Sequence, residues 1–294
     1  MQRRQHLTHL AALGLAPFSP AAFASAGTTA RGPDFSALER RVQGRLGFFA
    51  LDTGQGRTLA HRADERFSTA STFKILLAAC VAHGVERGRW RWDDELPLHE
   101  TDRVAHAPAF DRLLPRGRAT LSAMVQGIVV ERDNPCANLL MRHCCGSPAG
   151  LTQWLREQGD SVTRLDRWEL ALNENRPGDP QDTSTPRAFA HSLQHLLLGA
   201  GLGRASQARL RADMHSSQTG LKRLRAGLPD AGWRVIDKTG TGYRGAVNDV
   251  GLVFPPGGRA PWVVVALQSD STASTDALSA VIAEAMRQLV AAWA

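Results

Sequence analysis

The sequence puts its strand signals at the two ends of the chain and its helical periods between them, and that order narrows the fold more than any other feature. Near the start, Leu46-Gly-Phe-Phe-Ala-Leu51, the turn Asp52-Thr-Gly-Gln-Gly56 and Thr58-Leu-Ala-His61 read as a β-hairpin. From Thr72 to about Ala200 strand signals vanish. Apolar residues recur instead at helical spacing over Phe73 to Val85, Leu121 to Val130, Ala137 to Cys144 and Ala188 to Leu198. Strands return at Trp233 to Asp237, Asp249 to Phe254 and Trp262 to Gln268, the last two joined by Pro255-Pro-Gly-Gly258. A closing helix from about Thr275 sets Leu278, Val281, Ile282, Ala285, Leu289 and Trp293 on one face. A lone hairpin is marginal in water, so the two ends must meet in one antiparallel sheet. The expected fold is α/β plus all-α: an antiparallel sheet flanked by terminal helices, with a helical domain inserted. The boundaries read 27–66 and 217–294 for the α/β domain and 67–216 for the inserted all-α domain, which includes an aperiodic, Asn- and Pro-rich loop at 164–182.

Residues 1–26 read as a signal peptide: Arg3 and Arg4, an apolar run from Leu7 to Phe18, then Ala22-Phe23-Ala24 and Ala24-Ser25-Ala26 as small-residue cleavage sites. The paired arginines fit a Sec or a twin-arginine signal, and either gives an exported, periplasmic or secreted protein. Beyond this segment no apolar run approaches the roughly 18 residues of a membrane span, so no membrane contact is expected after signal removal. Cys80, Cys136, Cys144 and Cys145 would enter an oxidising compartment where pairing is chemically allowed. Cys144 and Cys145 are adjacent and poorly placed to bridge each other, and Cys80 reads as a buried thiol; the pairing stays open. His143 lacks a second ligand cluster at zinc spacing, and His191 and His195 read as one helix face, so no metal and no organic cofactor is expected.

The formal charge of +7 raises the question of nucleic acid. Arginines are scattered, no block of five like charges occurs, and aromatics do not interleave with basic residues, which argues against such a partner. A different asymmetry is more informative: of 35 Lys and Arg residues, only Lys74, Lys222 and Lys238 are Lys. Arg cannot deprotonate in a protein and Lys can. Lys74 ends Ser71-Thr-Phe-Lys74 at a strand-to-helix transition, one turn from a hydroxyl that needs a proton acceptor to become a nucleophile. The same pattern also suits a capping Ser with a surface Lys. Lys238 begins Lys238-Thr239-Gly240-Thr241 where a strand runs into a glycine turn; Gly240 would let a ligand approach the strand edge, Thr239 offers a hydroxyl and Lys238 a charge for a carboxylate. Lys222 has neither context and reads as surface. Between them, Arg132-Asp-Asn134-Pro135 places Asn134 as a helix cap with Pro135 at the first helical position.

Taken with Arg164-Leu-Asp-Arg-Trp-Glu169, Asn173 and Asp182-Thr-Ser-Thr-Pro186, these motifs resemble those of class A serine β-lactamases, in order and at plausible spacing, from Leu46 to the C-terminus. The resemblance implies an active site at the domain interface and hydrolysis of a small-molecule β-lactam substrate through a serine acyl-enzyme, conferring resistance; a monomer is the default expectation, with no nucleic-acid partner. Position by position, it implies Ser71 as nucleophile, Lys74 as its proton-transfer partner, and Glu169, held with Asn173, as activator of the hydrolytic water. Arg167 and Asp182 would close the loop as an ion pair. Ser71 and Thr241 would supply oxyanion-hole N–H groups, Asn134 would meet the substrate's amide side chain, and Lys238, Thr239, Gly240, Thr241 and Arg223 would surround its carboxylate. Arg225 and Arg244 stand near enough in sequence to compete with Arg223 for that part.

Four positions depart from the family. Arg132 stands where the family has a serine whose hydroxyl relays a proton to the departing lactam nitrogen, which a guanidinium does not do at neutral pH. His106 replaces a cleft-edge tyrosine. Ala70 and Gly242 replace the cysteines that some carbapenem-hydrolysing members bridge. The alternatives are therefore a D-Ala-D-Ala peptidase-like penicillin-interactive protein, or a binding homologue impaired in turnover by Arg132.

Overall fold

The structure is a computed structural model that describes residues 33–229 and 232–294, so the signal segment read at 1–26 lies outside the described residues. Residues 33–294 belong to one compact unit. The chain begins with α1 (Ser36–Val42), β1 (Arg45–Asp52), β2 (Thr58–His61) and β3 (Phe67–Ser68), and then enters α2 (Phe73–Glu86). There follow β4 (Glu95–Pro97), α3 (Pro108–Leu113), β5 (Arg118–Thr120), α4 (Leu121–Gln126), α5 (Asn134–Leu140) and α6 (Pro148–Glu157). After the loop come β6 (Thr183–Ser184), α7 (Pro186–Leu197), α8 (Arg204–Ser216), β7 (Arg234–Thr241), β8 (Val247–Phe254), β9 (Trp262–Ser269) and α9 (Thr275–Trp293).

The two ends do meet. One five-stranded sheet runs in the order β2-β1-β9-β8-β7 with every pairing antiparallel, so β1 from the first segment lies against β9 from the last. Both faces are covered, which explains why β1 and β9 are nearly unbroken apolar runs. Along β1, Phe48 and Ala50 face the terminal helices α1 and α9, while Phe49 and Leu51 face the internal helices. Along β9, Trp262, Val264 and Ala266 take the first side and Val263, Val265 and Leu267 the second. This is the two-residue alternation of a strand buried on both faces. All six residues expected on the inner face of α9 are buried.

α2 is buried from Phe73 to Ala82, as a helix that is apolar all round must be. The expected helices over 121–130 and 137–144 are present, but each ends in a π-helical turn, Gly127–Glu131 and Met141–Cys145, which hydrophobic spacing does not distinguish from an α-turn. Three results differ from expectation. Short strands β4, β5 and β6 occur inside the helical stretch, each two or three residues long and below what alternation can register. β7 continues through Thr241, with Lys238 opposite Val250 and Gly240 opposite Asn248, so the glycine motif is strand and not turn. The cap of α5 is Asp133, whose Oδ1 accepts from the Cys136 N–H (2.8 Å), and not Asn134. Asp133 wins because its Oδ2 also accepts from the Phe110 N–H (2.9 Å), tying α3 to α5 in the core.

Trp262 is buried between Trp233 and Trp293, with ring centroids 5.1 Å from each and steep interplanar angles. Trp262→Ala should destabilise the fold by about 3–5 kcal/mol. In chemical denaturation the midpoint should fall with little change in slope.

Candidate active site

Ser71 occupies a tight helical turn, Ala70–Thr72, wedged between β3 and α2. Three segments hold that turn. The Thr69 N–H donates to the Asp182 carbonyl (3.0 Å), the Asn248 amide donates to the Ser68 carbonyl (2.8 Å), and the Thr72 hydroxyl donates back to the Thr69 carbonyl (2.6 Å). β7 packs directly against it. A Cβ on Gly240 would lie 2.9 Å from the Thr69 oxygen and 3.2 Å from the Ser71 nitrogen. The missing side chain therefore admits the backbone of the Ser71 turn, not a ligand as the sequence suggested. The same approach brings a Cβ built on Gly242 to 3.5 Å from that of Ala70.

Lys74 follows one turn later and is fully buried. Its Nζ donates to the Arg132 carbonyl (2.8 Å) and to Asn134 Oδ1, and lies 2.9 Å from Glu169 Oε1. Burial pulls the Lys74 pKa below the ordinary lysine range, with the Glu169 charge opposing and the Arg132 charge reinforcing that shift. A buried amine poised to lose its proton beside a serine suits nucleophile activation. The Asn134 amide is occupied at both ends, since Nδ2 donates to the Ala105 carbonyl (2.8 Å).

Glu169 reaches Lys74 from the 164–182 loop. Asp182 is fully buried and gathers the loop's ends: Oδ1 accepts from the Asp166 and Arg167 N–H groups (2.8 and 3.0 Å), and Oδ2 lies 2.5 Å from Arg167 Nε. Glu169 Oε2 accepts from Asn173 Nδ2 (2.7 Å). Asn138 is the partner that sequence reasoning missed. Its Oδ1 accepts from the Glu169 N–H (3.0 Å) and its Nδ2 donates to the Glu169 carbonyl (3.0 Å), clamping that backbone in both directions. The available signal was its place four residues after Asn134 on one helix, which puts both amides on one face.

Lys238, Thr239 and Gly240 line up on β7 next to this cradle. Lys238 is fully buried, its Nζ donates to the Thr239 carbonyl (2.9 Å), and burial together with the Lys74 and Arg132 charges drives its pKa well down. Thr239 shares a hydrogen bond with the Thr219 hydroxyl (2.7 Å). Arg223 braces the strand: Nη1 donates to the Gly240 and Asn248 carbonyls (2.8 and 2.6 Å) and Nη2 to Thr241 Oγ1 (2.9 Å). Its rivals are engaged elsewhere, Arg225 with Asp237 (2.7 Å) and Arg244 near Asp270 (3.9 Å). Lys222 is exposed and pairs with Asp276.

These elements enclose a cavity of about 330 Å³ lined by Ser71, Arg132, Asn134, Asn173, Thr241 and Gly242, with His106, Leu170 and Tyr243 also contributing. Leu170 and Tyr243 are two of the three large apolar side chains most exposed among the described residues, and Tyr243 is the chain's single tyrosine. Sequence patterning gives no reason to single either out. Arg132 adopts a left-handed backbone (φ 64°). Its Nε is buried without a hydrogen-bond partner, and burial lowers its pKa. A larger cavity of about 450 Å³ beside Asp160, His191 and His195 holds no comparable constellation. Asp160 there is consumed by Val162, Thr163 and Ser192. Among the described residues, no group of three or more His, Cys, Asp or Glu is arranged to hold a metal ion.

The sequence matches the family model described as "Beta-lactamase enzyme family" over residues 33–293. It is 41% identical over 254 residues to β-lactamase L2 of Stenotrophomonas maltophilia, covering 86% of this chain and 83% of that protein. It is likewise 41% identical over 255 residues to the carbapenem-hydrolysing β-lactamase KPC of Klebsiella oxytoca, covering 86% of this chain and 85% of that protein. Among solved structures, an ancestral (GNCA) class A β-lactamase superposes with a TM-score of 0.85 at 47% identity, covering 88% of this chain and 98% of that one. A β-lactamase from Xanthomonas campestris superposes at 0.83 with 38% identity, covering 87% and 94%.

Gly240→Ala should cost about 1–3 kcal/mol by forcing β7 away from the Ser71 turn. A lowered melting temperature checks it, and an unchanged one would show that the turn can yield.

Proposed function

The chain belongs to the β-lactamase enzyme family, in its class A, and we propose that it opens the β-lactam ring through an ester formed on Ser71. As a member it is a hydrolase of β-lactams. The observation that carries the residue assignment is the 2.9 Å contact between Lys74 Nζ and Glu169 Oε1, both side chains fully shielded from solvent, one turn from the serine.

In acylation, Ser71 Oγ passes its proton toward neutral Lys74 and attacks the lactam carbonyl. The carbonyl oxygen gathers charge facing the N–H groups of Ser71 and Thr241, each such donor being worth about 3 kcal/mol of barrier. The C–N bond then breaks and the ring nitrogen takes up the proton that Lys74 had received, leaving an ester on Ser71 and Lys74 neutral again. In deacylation, Glu169 takes a proton from a water, the water attacks the ester carbonyl, and the Ser71 oxygen departs and regains its hydroxyl proton as Glu169 returns to a carboxylate. Asn173 and Asn138 orient Glu169 for this step. The support for Arg223 is its bond to the Thr241 hydroxyl, through which it would steady the strand that meets the substrate carboxylate. Asn134 would meet the substrate's amide side chain at the cavity wall, and Lys238, Thr239 and Gly240 would supply the charge and shape behind Thr241. The exposed Leu170 and Tyr243 give apolar parts of a substrate a rim to rest on.

We further infer export through the segment at 1–26, a monomeric enzyme with no nucleic-acid or membrane partner, and a two-part organisation with an all-α insertion at 67–216. No helix among the described residues is long and apolar enough to cross a membrane. Conferral of β-lactam resistance on the producing cell follows from the hydrolysis.

Arg132 changes the acylation half. No side-chain hydroxyl stands there to deliver the lactam nitrogen's proton, so ring opening should be slow. Arg132→Ser should raise the plateau rate of acylation by about tenfold or more. Because the Arg132 charge helps lower the Lys74 pKa, its removal should also move the acid limb of the acylation profile to higher pH. Stopped-flow measurement with a chromogenic cephalosporin reads both, and an unchanged or slower plateau would count against the assignment. Glu169→Gln should leave a covalent adduct on Ser71 that persists by intact mass. Undiminished turnover in that variant would remove Glu169 from its part.

A further inference from the structure

Four cysteines are free in the structure, and among the described residues two of them stand apart: Cys80 Sγ and Cys145 Sγ lie 3.5 Å from each other. We propose that Cys80 and Cys145 are a redox-active pair that closes to a disulfide, fastening the nucleophile helix to the segment that follows the Asn134 helix. Cys80 sits on α2, six residues beyond Lys74, and is buried. Cys145 ends the π-helical turn that extends α5 and is partly exposed. The approach is built into the backbone. A Cβ on Gly150 would lie 1.8 Å from the Cys145 carbonyl oxygen, so only glycine lets the start of α6 press against Cys145, and Gly146 (φ 76°) makes the turn between them. A disulfide needs its sulfurs about 2 Å apart, so roughly 1.5 Å must close, within reach of side-chain rotation.

The chemistry has a defined order. Cys145 is the accessible partner, and its thiolate attacks an external disulfide of the oxidised-glutathione or dithiol-oxidase class, releasing one thiolate and leaving a mixed disulfide on Cys145. Cys80 then gives its proton to solvent, attacks the Cys145 sulfur and expels the second thiolate. Two electrons have passed from the cysteine pair to the external disulfide, which leaves as two thiols. The contact with Cys145 and burial push the Cys80 thiol up, consistent with its acting second, and burial pushes Cys144 up to about 12.

Once closed, the bridge spans the element bearing Ser71 and Lys74 and the one bearing Asn134 and Asn138, the two elements that converge on Glu169. The full chain, incubated with oxidised glutathione, should lose 2 Da relative to its reduced form. Non-reducing peptide mapping should recover Cys80 linked to Cys145. The oxidised protein should melt at least about 4 °C above the reduced one, since the bridge closes a long loop of the unfolded chain. Cys145→Ser should abolish the mass loss and the melting shift together, whereas Cys144→Ser should keep both. Two results overturn the proposal: all four thiols still alkylating after prolonged oxidation, or a mapped bridge joining Cys80 to a cysteine other than Cys145. Because Cys145 is partly exposed, its serine variant tests the bridge without opening the core at Cys80.

Discussion

A lysine side chain held wholly out of water is the condition on which the rest of this site depends. An ammonium group in the interior costs several kcal/mol unless its protons are met. Lys74 finds its three partners on two separate pieces of chain: the carbonyl of Arg132 and the amide oxygen of Asn134 at the start of α5, and the carboxylate of Glu169 on the loop. None of these can move without leaving the buried amine short of a partner. The left-handed residue before α5, that helix itself and the excursion closed by Asp182 are thereby locked to α2, and Ser71 with them. Burial and the Arg132 charge lower the Lys74 pKa against Glu169 and Asp133, and Lys238 is lowered by burial and by the Lys74 and Arg132 charges against Asp237 and Asp249. Both shifts disfavour the ammonium forms, and an anionic guest in the cavity would be favoured by these neighbouring positive groups.

The sheet was legible because its constraint is global. The strands at either end carry too much apolar surface to fold separately, and the alternation of Phe48 with Phe49 and of Val263 with Val264 serves two different cores. The helical middle was legible in position and less so in detail. Hydrophobic spacing found the runs at 121–130 and 137–144 but cannot see that each ends in a wider turn, and pairings as short as Phe67 with Ser184 leave no periodic trace.

For the site, the chemistry-bearing residues were visible wherever residue type mattered more than partner. In a chain that otherwise uses Arg, Lys74 and Lys238 stand out, and the structure buries both beside the serine turn. What stayed hidden depends on which of several similar groups wins a contact. Asp133 and Asn134 are both good caps, and only the Phe110 N–H on a distant helix decides for the aspartate, freeing Asn134 to turn toward Lys74. Asn138 looks like any polar residue on a helix until the loop backbone arrives against it. Gly240 was rightly marked as a place of close approach, but its neighbour is the protein's own backbone.

The left-handed turn at position 132 separates two contributions that usually travel together. The hydrogen bond this residue gives to Lys74 comes from its main-chain carbonyl, while its side chain lines the cavity and acts on Lys74 only through its charge. That hydrogen bond therefore survives a change of side chain, provided the backbone can hold φ near 64°. Residue 132 is in effect an interchangeable tool-holder, a position where new chemistry can be tried at the mouth of the site without dismantling the machinery behind it.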